Sequence, residues 1–147
     1  LNKKVRAALS EGLIPIYCVG ETLTERQEEW TLAVVRTQLV DGLKDISLQN
    51  ASNLVIAYEP VWAIGTGLAA TAEQAQEVHA AIRGFLTEIL GAVGAEMLIL
   101  YGGSLKPDNA DEILSKPDVN GGLIGGAALQ ADSFAAIIAA ACKIAVS

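Results

Sequence analysis

The sequence predicts an α/β fold made of four repeats of strand, loop and helix, with the strands parallel. Three features carry this prediction. Four apolar runs of strand length recur along the chain, and each is closed by glycines or by a glutamate–proline pair. Between them lie stretches whose apolar residues return at helical spacing. Alternation of this kind implies right-handed crossovers between parallel strands.

Taken in order, Asn2 to Ser10 reads as an amphipathic helix that ends near Gly12. Ile14-Pro15-Ile16-Tyr17-Cys18-Val19 is the first strand, closed by Gly20-Glu21, with its proline near the start, where a missing N–H is tolerable. One long helix is expected from Thr24, carrying Leu32, Val35, Leu39 and Leu43 on one face. Leu54-Val55-Ile56-Ala57-Tyr58 is the second strand, a continuous apolar run with β-branched residues that leaves Glu59 at its C-terminal end. After the loop, Thr71-Ala72-Glu73-Gln74 has the form of a capping box, and Ala75, Val78, Ile82, Phe85 and Ile89 mark the buried face of the helix it opens. Gly91 to Gly94 breaks that helix. Met97-Leu98-Ile99-Leu100-Tyr101 is the third strand, closed by Gly102-Gly103-Ser104. A short helix from about Asp108 to Leu114 leads to a fourth strand around Gly122-Leu123-Ile124, closed by Gly125-Gly126, and a last helix carries Phe134, Ile137, Ile138 and Ala141 on one side.

Composition narrows the function classes. Ten Lys and Arg against seventeen Asp and Glu give a net charge of −7, and the cations are scattered, which argues against nucleic acid or an anionic membrane as partner. No apolar run approaches the roughly 18 residues of a membrane span and no signal-peptide pattern opens the chain, so a soluble, cytoplasmic protein is expected. Cys18 and Cys142, with the lone His79, have no metal-type spacing and read as two buried free thiols.

Three sets of residues point to chemistry, all at strand C-termini, where parallel α/β sheets place their sites. Glu59 is a candidate general base, held at a strand end next to a loop that would strip it of water. A rim glutamate that caps or pairs with a neighbour fits the same position. Pro60 to Ala70, Thr66 included, is a candidate lid, with stiff or small-residue hinges at Pro60-Val61-Trp62 and Leu68-Ala69-Ala70 flanking an apolar tip, Ala63-Ile64-Gly65, and with backbone freedom from Gly65 and Gly67. A static glycine-rich connection remains the other reading. Gly65, Ser104, Gly125 and Gly126 form a candidate phosphate cradle of backbone amides, with the start of a helix behind Gly125-Gly126 adding its dipole. Each glycine taken alone also fits a plain turn.

AYEPVWAIGTG followed by ATAEQAQEVHAAIR, with YGGS and GGLIGGAAL downstream, resembles the C-terminal half of the triosephosphate isomerase family over essentially the whole chain. The resemblance implies a (β/α)8 TIM barrel, of which 147 residues starting at Leu1 would be the second half, since a whole barrel needs about 250. By the same resemblance Glu59 is the catalytic base that moves a proton between adjacent carbons of a triose phosphate without any cofactor or metal. Trp62 exchanges hydrogen-bond partners, Tyr58 and Glu21 among them, as the lid moves, while Tyr101 and Ser104 latch it. Gly65, Ser104, Gly125 and Gly126 donate amides to the phosphate, and Leu123 lines the pocket.

Arg83 and Asp118 match a structural salt bridge of the family, and His79, on a helix away from any rim, is expected at the surface or between helices. The remaining catalytic groups of the family, an Asn, a Lys and a His, match nothing in this chain. The chain alone is therefore expected to be essentially inactive, with unpaired edge strands and an uncovered apolar layer, while homodimerism is implied by the resemblance alone. A non-catalytic half-barrel that binds phosphate is the competing reading.

Overall fold

The computed structural model describes residues 1–64 and 68–145. Helix α1 (Asn2–Ser10) precedes strand β1 (Ile16–Val19). Two helices follow, α2 (Leu23–Gln27) and α3 (Thr31–Leu43), where the sequence predicts one. The chain breaks between them because Glu29 takes a positive φ of 62°, which no α-helix accommodates. Thr22 caps α2 through a reciprocal box with Glu25, a start signal two residues before the expected one. Val35, Leu39 and Leu43 are buried as expected, whereas Leu32 is exposed.

A short helix α4 (Leu48–Ala51) leads to β2 (Val55–Tyr58), and a single 3-10 turn, Val61–Ala63, opens the loop beyond it. Helix α5 (Ala72–Leu90) starts at the predicted box, with the Thr71 side chain accepting from the Gln74 amide at 3.1 Å and Gln74 accepting from the Thr71 amide at 3.0 Å. Its buried face runs through Ala75, Val78, His79, Ile82, Leu86 and Leu90, so Phe85 and Ile89 of the predicted stripe sit at its margin. Gly91 ends α5 and α6 (Ala92–Glu96) follows. Next come β3 (Ile99–Tyr101), α7 (Ala110–Leu114) and β4 (Gly121–Gly122), the last shorter and slightly earlier than expected. A four-residue 3-10 turn, Gly126–Leu129, precedes α8 (Ala131–Ala145). On α8 Ile137 and Ala140 are buried, while Phe134, Ile138 and Ala141 of the predicted face are exposed.

The four strands are parallel and lie in chain order, β1-β2-β3-β4, as the alternating pattern predicts. Side chains on adjacent strands therefore line up in rows. Tyr17 and Ile56 are register partners, as are Ile56 and Ile99, and Tyr58 pairs with Val19 and Tyr101. All six point toward the helices and are buried with Val35, Leu39, Val78, Ile82 and Leu86 in one core. Among the described residues no helix covers Ile16, Cys18 and Leu98 on the opposite face. There Ile16 and Leu98 are 45% and 52% exposed, and Cys18 is exposed. Both edge strands have a neighbour on one side only. The buried-thiol expectation thus fails for Cys18, which sits on the uncovered face, and for Cys142, on the outer side of α8.

Candidate active site

Three backbone hydrogen bonds extend the sheet past the strand ends and set the rim. The Glu59 amide donates to the Val19 carbonyl at 2.8 Å, the Gly102 amide to Tyr58 at 2.8 Å, and the Leu123 amide to Tyr101 at 2.9 Å. Residues from three strands so arrive at one level, around a cavity of about 700 Å³. Glu59, Ala63, Ile64, Ser104, Leu123, Gly125 and Gly126 all line it, which gathers the predicted base, the lid tip and most of the predicted phosphate cradle in one place. Gly65, Thr66 and Gly67 of the lid and cradle lie outside the described residues.

Two glycines make room for Glu59. A Cβ on Gly20 would come within 1.8 Å of the Glu59 carbonyl oxygen, and one on Gly102 within 2.5 Å of its Cγ, so the carboxylate lies across bare backbone. Sequence reasoning took both glycines as strand closers. Partial burial first, and then the charge of the Glu59 carboxylate, push the Cys18 thiol above its ordinary range.

Behind the rim lies the anchor of the segment expected to be the loop's first hinge. Glu21, wholly buried, accepts from the Tyr58 hydroxyl at 3.1 Å and from Trp62 Nε1 at 2.9 Å, and Arg26 stands 3.8 Å away. Its carbonyl also accepts from the Val61 amide at 3.0 Å, so one residue grips the hinge by side chain and main chain. Burial, followed by the charge of Glu21 and the hydrogen bond to it, pushes the Tyr58 hydroxyl pKa far up, which keeps it a donor. The expected grouping of Trp62 with Tyr58 and Glu21 is present. Pro60 and Ala63 are buried, while Val61 and Ile64 are about half exposed.

Tyr101, expected as a latch, is fully buried beneath the Gly102–Ser104 turn, where a Cβ on Gly103 would stand 2.2 Å from its hydroxyl. That hydroxyl faces the backbone amide of Ala70, at the far end of the loop, without closing a hydrogen bond to it. Burial raises its pKa and the Ala70 amide draws it back.

Gly125 and Gly126 are exposed on the cavity wall, but only a four-residue 3-10 turn follows them, and α8 begins at Ala131. The expected helix dipole is absent from this rim, since a single turn sums too few peptide dipoles. What remains to meet an anion is backbone N–H.

His79 departs from its expected position. It is buried between α5 and the sheet, edge-on to Tyr58 with ring centroids 5.8 Å apart and 6.2 Å from Tyr101, with Nδ1 3.1 Å from the Asp118 carbonyl. Arg83 pairs with Asp118 at 3.6 Å as expected, and also donates to Asn120, Ala95 and Met97, tying α5 to the approach to β4.

The comparisons bear on this arrangement. The family model described as triosephosphate isomerase matches residues 1–141. The triosephosphate isomerase of Chlorobaculum tepidum is 58% identical over 142 residues, covering 96% of this chain and 57% of that protein. Those of Chloroherpeton thalassium and Fusobacterium nucleatum are 55% and 52% identical, each with 56% of its length covered, against 96% and 95% of this chain. The chain thus spans about half the length of the curated relatives it matches. A four-stranded parallel sheet under helices, with rim residues at strand C-termini, is part of the barrel such a family builds. On the family match and these identities, the chain belongs to the triosephosphate isomerase family.

Proposed function

We propose that this chain carries the proton-transfer and phosphate-binding side of an aldose–ketose isomerase that interconverts dihydroxyacetone phosphate and D-glyceraldehyde 3-phosphate. The observation that carries the reading is Glu59, at the end of β2, lining one cavity with Ser104, Leu123, Gly125 and Gly126. In this scheme the Glu59 carboxylate takes the proton from the hydroxyl-bearing carbon of the ketose. The C–H electron pair then forms the enediolate double bond while the carbonyl π pair moves onto its oxygen; the same carboxyl returns the proton to the former carbonyl carbon as a proton passes from the first hydroxyl oxygen to the second, leaving the aldose carbonyl. Ser104, Gly125 and Gly126, together with Gly65, hold the phosphate by backbone amides. The Pro60–Ala70 loop, pivoting on Trp62 against Glu21 and latched by Tyr101 and Ser104, shuts out water that would protonate the enediolate or release its phosphate. A cytoplasmic setting and homodimerism belong to the same proposal.

No residue of the chain matches the family's Asn, Lys and His, so charge on the substrate oxygen has little support. Loss of one such donor costs roughly 10²–10³ in rate. Titration with dihydroxyacetone phosphate, with solvent deuterium entering the hydroxyl-bearing carbon followed by NMR, tests the reading. Expected is binding that inorganic phosphate competes away, and exchange at least about 10²-fold slower than with the C. tepidum relative. Glu59→Gln should abolish that exchange and keep the binding. Binding with equal exchange in both forms would leave a non-catalytic phosphate site.

A further inference from the structure

The cavity at the strand ends has to take an anion in a chain of net charge −7, and two of its lining residues, Glu59 and Asp108, are carboxylates. Backbone amides contribute only partial charges against them. Among the described residues that line the cavity, Lys106 is the one cation. Resting on the phosphate-site reading above, we propose that Lys106 is a ligand-affinity residue whose ammonium contacts the phosphate group alongside the amide rim.

The loop that carries Lys106 is built to hold its place. Asn109 accepts from the Lys106 amide at 2.8 Å through Oδ1 and donates to the Ser104 carbonyl at 2.9 Å through Nδ2, and the Leu105 amide donates to Gly103 at 2.9 Å. Ser104, Leu105 and Lys106 all line the cavity, with Leu105 buried in its wall and anchored in the core. Ser104 and Lys106 consequently reach the same space from one pinned segment. Lys106 forms no ion pair among the described residues, whereas Lys116 is committed to Glu73 and Lys143 to Asp111. An exposed lysine on the wall of a cavity that also carries two carboxylates supplies the full positive charge that the amide rim lacks.

Calorimetric titration of the chain with inorganic phosphate tests this, comparing the unaltered protein with Lys106→Met, Lys106→Arg and Lys44→Met. Lys44 is exposed and does not line the cavity, and its replacement changes the net charge equally, which separates a local contact from the overall field. Lys106→Met is expected to weaken phosphate about tenfold, the value of a charge-assisted hydrogen bond at a partly wet site, and to flatten the dependence on ionic strength. Lys106→Arg should keep most of the affinity and Lys44→Met all of it. Equal affinities for Lys106→Met and Lys44→Met, with the unaltered chain binding well, overturn the role of Lys106 and leave the amide rim standing. Failure of the unaltered chain to bind phosphate overturns both. Unchanged thermal unfolding of the variants confirms that the fold is intact.

Discussion

Glu59 reaches the cavity because Gly20 and Gly102 leave its backbone and side chain room, and because Pro60 turns the chain away directly after it. His79 is the other residue whose surroundings decide its behaviour. Burial, reinforced by Arg83 and opposed by the carbonyl and charge of Asp118, lowers its pKa to about 4, so the imidazole is neutral at pH 7. Its pKa is below the 6.5 of an unfolded chain, so the unfolded state takes up the proton first. The stability His79 contributes is present in full above pH 6.5 and is lost as pH falls through 4. The shift corresponds to at most about 3 kcal/mol. Urea unfolding across this window should show a steeper loss for the unaltered chain than for His79→Gln; parallel curves would show that the imidazole does not titrate with unfolding.

At the scale of the elements, the loop between β2 and α5 is fixed at both ends, and of its described residues Val61, Ile64, Leu68 and Ala69 are exposed. Its first end hangs on Glu21, which belongs to the neighbouring β1–α2 connection, and its last end meets the Thr71 capping box, which starts α5 at a defined residue. Glu21→Ala removes the acceptor of two buried donors, Tyr58 and Trp62, and should cost roughly 3 kcal/mol in denaturant unfolding. In a Trp30→Phe background, which silences the exposed indole, Trp62 emission should shift to the red and quench more readily. An unmoved midpoint and spectrum would mean that the hinge is held elsewhere. The same scale explains the split of the predicted long helix. The apolar stripe runs only from Leu32 to Leu43 and sets no boundary upstream of it, and the positive φ at Glu29 is a local conformation that periodicity does not record.

At the scale of the whole molecule, a parallel sheet ordinarily buries both faces. Here one face packs on helices, and the other presents Ile16, Cys18 and Leu98. The folded chain should therefore bind a hydrophobic dye, and replacing Ile16 and Leu98 by threonine should lower the dye signal without moving the thermal midpoint much, because neither side chain belongs to the buried core. A dye signal indifferent to both substitutions would place the accessible apolar surface elsewhere. The open face also accounts for the exposed thiol of Cys18. Its strand position suggests burial, and burial would need a second layer.

Local patterns in the sequence determined the number and order of the strands, their parallel sense, the capping box of α5 and the placement of Glu59 on a strand end, because apolar period, proline and capping chemistry act within a few residues of where they are written. Tertiary structure alone decided that His79 packs against two sheet tyrosines, that Gly20 and Gly102 serve Glu59, that Glu21 grips the loop by two routes, and that Lys106 joins the cavity. Each of these depends on which strand lies beside which, and at what register. Contacts between residues some forty positions apart, as for Glu21 with Trp62, leave no periodic trace in the chain that makes them.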